Sequence, residues 1–173
     1  MNPEVVTIGL GYIGLPTSAL IASKGTNVLG VDINQEIVNV INQGKIHIVE
    51  PELDKVVSKV VSNGNFIASN VAVQASVFLI VVPTPFKGNH EPDISFVVAA
   101  TNSIIPLLKK GDLYIIESTS PIGTTEKIQA LIFKSRPELE GDIYIAYCPE
   151  RVLPGNIMHE LVYNDRVIGG IDE

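Results

Sequence analysis

The chain has 173 residues, 46% of them hydrophobic and 18% charged, with 12 Lys plus Arg against 19 Asp plus Glu and a formal net charge of −7. A chain of this length fits one compact domain that buries roughly 70% of its unfolded surface without a disulfide or metal staple, and its mean hydropathy of +0.31 excludes disorder. The acidic balance argues against a phosphate-backbone binder, and the absence of Trp with only 6% aromatic residues argues against stacking platforms for single-stranded nucleic acid.

The first segment, residues 5–22, carries no charge and is long enough to suggest a membrane span. Gly9, Gly11, Gly14 and Pro16 interrupt it, Val5, Val6, Thr7 and Ile8 read as strand, and Glu4 replaces the basic residues a signal peptide would need. A buried strand (5–8), a glycine turn and a helix from about 14 to 24 explain it, so no membrane association is expected. A second strand follows over 27–31. Asn34 opens a helix ending near Gly44, with Ile37, Val40 and Ile41 at helical spacing. Residues 51–62 read as a further amphipathic helix with Pro51 in its first turn. A short strand is expected over 66–68. The run VFLIVV over 77–82 is apolar without alternation, as in a central parallel strand covered on both faces. The segment 83–93, with three prolines, reads as a long irregular loop. A helix over 95–108, a strand over 113–117, a helix over 124–134, a strand over 143–147 and a short last strand over 166–170 complete the order. Such alternation specifies an α/β fold, a doubly wound parallel sheet with helices on both faces, in a single domain over 1–173.

Gly9-Leu10-Gly11-Tyr12-Ile13-Gly14 is a G-x-G-x-x-G sequence placed between the first strand and its helix, the context in which it binds dinucleotides. Gly9 permits the tight turn, Gly11 lets the backbone approach a pyrophosphate, and Gly14 allows close packing of the helix. A plain turn needing positive φ would account for one glycine but not three at this spacing. Asp32 ends the second strand 18 residues after Gly14, where an acid accepts hydrogen bonds from the adenosine ribose; capping of the next helix is its other reading. No Arg or Lys occurs in Ile33-Asn34-Gln35 to hold a 2′-phosphate, so the expected cofactor is NAD in a Rossmann-type fold. Polar loops after the later strands gather at the same edge: Thr84 between Pro83 and Pro85, Glu117-Ser118-Thr119-Ser120, and Cys148-Pro149-Glu150-Arg151. Each alone is explained by turn and cap chemistry. Three together point to a ligand edge.

The chain resembles the UDP-glucose/GDP-mannose dehydrogenase family over essentially its whole length. The resemblance rests on GLGYIGLP (9–16), VDIN (31–34), EPEL (50–53), VPTP (82–85), ESTSPIGTTE (117–126), YCPERVLPG (147–155) and RVIGG (166–170). Its Pro-Glu-Arg form, with Pro154 where the UDP-glucose branch carries an acid, is most similar to the UDP-N-acetylmannosamine/UDP-N-acetylglucosamine 6-dehydrogenase branch. The resemblance implies a four-electron, NAD-dependent oxidation of the sugar C6 alcohol to the uronate, through an aldehyde trapped by a cysteine thiolate and a thioester, in polysaccharide biosynthesis. It also implies that Tyr12, Ile13, Asp32, Thr84 and Thr119 contact NAD, that Arg151 and Val152 line the UDP-sugar site, and that Thr119 and Glu150 lie near the reacting carbon. Arg suits a diphosphate or carboxylate better than Lys, and an oxyanion-like intermediate wants hydroxyl or water donors at C6.

The family's nucleophilic Cys, catalytic Lys and most uridine contacts come from a second domain, expected beyond residue 173. The ending at Ile171-Asp172-Glu173 reads as a cut through a longer protein. That protein is expected to be a cytoplasmic homodimer, while the isolated domain binds NAD without turnover. Cys148 lies outside the nucleophile motif and reads as a buried thiol, while its lack of a disulfide partner fits a reducing compartment. His47, His90 and His159 have no metal-ligand spacing and read as loop residues, and Glu138, Glu140 and Asp142 as a solvated loop. Three other readings compete. The N-terminal domain of a 3-hydroxyacid/6-phosphogluconate-type dehydrogenase is disfavoured by VPTP and YCPER. A stand-alone nucleotide-binding module would require the complete protein to end at Glu173. A protein-interaction module would leave the glycines and Asp32 without purpose.

Overall fold

The computed structural model describes residues 2–171, so Asp172 and Glu173 of the predicted cut lie outside the described residues. In chain order the elements are β1 (Val5–Ile8), α1 (Gly14–Ser23), β2 (Val28–Val31), α2 (Gln35–Asn42), α3 (Leu53–Ser62), β3 (Phe66–Ser69), β4 (Val77–Ile80), β5 (Phe86–Lys87), β6 (Glu91–Pro92), α4 (Ser95–Ile104), β7 (Leu113–Ile116), α5 (Thr124–Ser135), β8 (Tyr144–Tyr147), α6 (Ile157–Tyr163) and β9 (Gly169–Gly170). Seven strands form one sheet in the order β3-β2-β1-β4-β7-β8-β9, parallel throughout except that β9 runs antiparallel to β8.

Strand alternation sorts the apolar side chains into two layers. Val6, Ile8, Leu29, Phe78, Ile80, Tyr114 and Ile116 meet α4 and α5 through Val97, Ile104, Ile128 and Ile132. On the opposite face Val5, Val28, Phe66 and Leu79 meet α1 and α3 through Leu15, Ala19, Val57 and Val60. Both faces are therefore covered, and the unbroken apolar runs of β1, β2 and β4 follow. Tyr114 is wholly buried and its hydroxyl is matched by Thr101 Oγ1 at 2.7 Å. The chain moves outward from β1 to β2 and β3, then returns to β4 on the other side of β1. That reversal leaves a crevice above the C-terminal ends of β1 and β4.

Several elements differ from the sequence reading. The helix expected over 95–108 ends at Ile104, because Pro106 has no N–H to donate and the chain tightens into a 3-10 turn over Ile105–Leu107. The helix expected from Pro51 begins at Leu53, since Glu52 adopts a left-handed φ of 65°. The ladder of β4 stops at Ile80. Val82 N–H instead donates to Ser118 Oγ at 2.9 Å. The loop over 83–93 holds the small hairpin β5–β6, tied to α4 by Asp93, whose carboxylate accepts from Ser95 N–H and pairs with Lys87, both at 2.8 Å. Helix α6 lies in a stretch read as loop, so His159 is helical and packs against Tyr163. The last strand is two residues long and antiparallel, closing the edge beside β8. Among the described residues, no helix is long and apolar enough to cross a membrane.

Candidate dinucleotide and substrate site

The turn after β1 is built by its glycines. Gly9 has φ +98° and donates its N–H to Val31 O at 2.8 Å; a Cβ there would lie 2.4 Å from Val81 O. A Cβ on Gly14 would fall 1.9 Å from Gly9 O, so the first turn of α1 sits directly against the glycine turn. Gly11 differs: a Cβ there meets nothing within 4 Å, which leaves open space above its backbone. Leu10 is fully buried between these glycines and anchors the turn from below, in room left by Gly30, where a Cβ would strike Leu10 at 2.6 Å. Among the described residues, the N–H groups of Gly11, Tyr12 and Ile13 have no protein acceptor. With the positive end of α1 behind them, they form a cradle for a dianionic group.

Asp32, at the end of β2, faces this turn. Its Oδ2 accepts from Leu10 N–H at 3.0 Å and its Oδ1 from Asn34 N–H at 2.9 Å, which fixes the carboxylate while leaving further lone pairs outward. The helix-cap reading belongs to its neighbour: Asn34 Oδ1 accepts from Glu36 N–H at 2.9 Å and caps α2. Ile33 is 95% exposed, and the charged group facing the cradle on this strand end is an acid.

A cleft of about 580 Å³ opens above the sheet reversal. It brings together Gly9, Gly11, Tyr12, Ile13, Asp32, Thr84, Thr119, Glu150 and Val152 from the segments that follow five strands, β1, β2, β4, β7 and β8. Gly14 lies buried beneath it, and Arg151 is exposed outside its lining, its N–H donating to Glu150 Oε1 at 2.8 Å. The residues present fit a dinucleotide: free N–H groups for a pyrophosphate, an open approach over Gly11, and a fixed carboxylate for ribose hydroxyls.

Two residues to which the sequence assigns no role, Glu117 and Arg166, organise the far wall. Arg166 Nη2 pairs with Glu150 Oε2 and, at 3.2 Å, with Glu117 Oε1. Both carboxylates are nearly buried, and Glu117 Oε2 has no partner among the described residues. Burial pushes the Glu117 carboxyl up to about 7; Arg166 pulls it down and the Glu150 charge pushes it further up. Cys148 is buried at the end of β8, and burial raises its thiol above the ordinary value despite the nearby Arg166 guanidinium. Glu117 and Arg166 both lie in quoted motifs, but nothing local tells that the two meet across 49 residues. Elsewhere, Glu138 pairs with Arg136 and Asp142 with Lys110, both as exposed ion pairs.

The comparisons agree with this geometry. Residues 3–173 match the model of the UDP-glucose/GDP-mannose dehydrogenase family, NAD binding domain. The UDP-N-acetyl-D-mannosamine dehydrogenase of Escherichia coli K12 is 55% identical over 96% of this chain and 42% of its own length. Among solved structures, a UDP-N-acetyl-mannosamine dehydrogenase from Pyrococcus horikoshii superposes with a TM-score of 0.94 at 44% identity, covering 98% of this chain and 41% of its own. Cap5O, the UDP-N-acetyl-mannosamine dehydrogenase of Staphylococcus aureus, gives 0.92 at 43% identity, with 98% and 41% covered. The chain thus spans less than half the length of these relatives. It belongs to the UDP-glucose/GDP-mannose dehydrogenase family, of which it is the NAD-binding domain.

Proposed function

We propose that this domain binds the cofactor of an NAD-dependent enzyme that oxidises the C6 alcohol of UDP-N-acetylmannosamine to the uronate in the cytoplasm. In this reading the nucleophilic cysteine and the catalytic lysine come from a further segment of a longer, homodimeric protein. The 55% identity to a UDP-N-acetyl-D-mannosamine dehydrogenase supports the sugar. The cofactor half rests on one observation: Asp32 is held by Leu10 and Asn34 beside three N–H groups that have no acceptor among the described residues.

When bound, NAD takes up the hydrogen and electron pair that the alcohol carbon loses. The N–H groups of Gly11, Tyr12 and Ile13 hold the pyrophosphate, and Asp32 accepts from the ribose hydroxyls while its charge opposes a 2′-phosphate. Thr84 and Thr119 border the same cofactor. The Thr119 hydroxyl serves the oxygen on C6, and Glu150 stands beside the reacting carbon with Arg166 holding its carboxylate. Val152 lines the nucleotide sugar, and Arg151, exposed on the same loop but outside the cleft lining, supplies a cation for its diphosphate or carboxylate.

The test is turnover by the longer protein carrying this domain, followed as NADH formed with UDP-N-acetylmannosamine, UDP-N-acetylglucosamine and UDP-glucose. Two NADH per sugar and preference for the manno substrate are expected. Equal or better use of UDP-glucose overturns the sugar assignment.

A further inference from the structure

The motif EPEL at 50–53 has no part in the site described so far, yet Glu50 is one of the few buried carboxylates, at 4% exposure. Its two oxygens reach across the chain. Oε2 accepts from Gly155 N–H at 2.8 Å and Oε1 from Ile157 N–H at 2.7 Å, spanning 105 and 107 residues. These N–H groups lie at the junction between the loop carrying Glu150, Arg151 and Val152 and helix α6. Gly155 has a left-handed φ of +93°, and Glu52, beside the clamp, has one of +65°. Non-glycine residues adopt that conformation rarely, and it persists where surrounding contacts over-determine it. The segment bearing Glu50 also carries His47, which lies within electrostatic reach of Asp32. One short segment between α2 and α3 therefore touches the surroundings of both the ribose acid and the sugar loop.

We infer that Glu50 is a positioning residue: through its two backbone hydrogen bonds to Gly155 and Ile157 it fixes the loop bearing Glu150 and Val152 over the cleft. The inference rests on the proposed reading in which that loop borders the nucleotide sugar. A carboxylate suits the role because it accepts two N–H bonds at once, each strengthened by its charge. Gln offers one oxygen and turns an NH2 toward a second N–H donor. Asp keeps the charge but is one methylene short of spanning both. A residue serving stability alone would, on replacement, loosen the cofactor cradle and the sugar loop together. Glu50 touches only the latter.

The test uses Glu50→Gln and Glu50→Asp. In this chain, amide hydrogen exchange at Gly155 and Ile157 accelerates roughly tenfold or more in Glu50→Gln, as expected for losing charge-assisted bonds, while NAD affinity changes less than about twofold. Glu50→Asp, which retains one bond, falls between and serves if the Gln variant does not fold. In the longer protein, kcat/KM for the UDP-sugar falls roughly tenfold with KM for NAD unchanged. Unchanged exchange at both amides overturns the inference, as does an equal loss of NAD and sugar parameters. If the unsubstituted protein oxidises no UDP-N-acetylhexosamine, the proposed substrate fails, while the exchange measurement still decides whether Glu50 holds the loop.

Discussion

Replacing Glu117 by Gln is expected to stabilise the domain at neutral and alkaline pH. The side chain is buried, one oxygen meets Arg166 at 3.2 Å and the other has no partner among the described residues. Burial raises the carboxyl from 4.5 to about 7, with the neighbouring Glu150 charge adding to the rise and Arg166 opposing it. At low pH the carboxyl is protonated in both the folded and unfolded chain, and the folded state is not penalised. As pH rises past 4.5 the unfolded chain ionises freely while the fold still holds the proton, so stability falls until the folded group itself ionises near 7. A shift of this size corresponds to about 3 kcal/mol at ~1.4 kcal/mol per unit, a large share of a net stability of about 5–15 kcal/mol. Gln keeps an acceptor for Arg166 and has no proton to lose. Urea unfolding of both proteins between about pH 5 and about pH 8 reads the difference. His47, lowered by burial, acts in the opposite sense, destabilising as pH falls, so the readout is the gap between variant and parent rather than either curve alone. That gap is expected to open toward high pH; a gap independent of pH refutes the reasoning.

The glycines of the turn separate binding from folding. Gly11→Ala, whose Cβ meets nothing within 4 Å, leaves the melting temperature nearly unchanged but weakens NAD at least about tenfold, while Gly14→Ala, 1.9 Å from a backbone oxygen, destabilises by roughly 1–3 kcal/mol; calorimetry with thermal melts checks both. Asp32→Ala loses the ribose acceptor and the brace to Leu10, so NAD binding weakens by about 1–3 kcal/mol and preference over NADP disappears, as titration with each cofactor would reveal. Cys148, buried with a raised thiol, is alkylated far more slowly in the folded chain than in denaturant; equal rates contradict its burial.

The sheet was legible because its strands are unbroken β-branched runs, and the cofactor turn because Gly9, Gly11 and Gly14 precede Asp32 at the spacing one pocket imposes. Less legible were features set by distant partners. Helix α6 is seven residues with Ile157 and Leu161 as its buried contacts, too short for periodicity to reveal, and its entry is held by Glu50 from the other half of the chain. Arg166 sits in a quoted motif, yet its pairing with Glu117 and Glu150 depends on how β7 and β8 carry their ends together. Pro106 is a helix breaker legible in the sequence, and it ends α4 four residues short of the expected 108. The antiparallel turn of β9 follows from α6 returning the chain to the sheet edge, a tertiary fact with no local signature.

Selection of NAD by Asp32 and the glycine cradle is read by calorimetric titration of this chain with NAD and with NADP. Binding of NAD with NADP at least about tenfold weaker is the expected result, since Asp32 offers a ribose two acceptors and a 2′-phosphate only repulsion. Equal or tighter binding of NADP, or no binding of either by the folded chain, contradicts it.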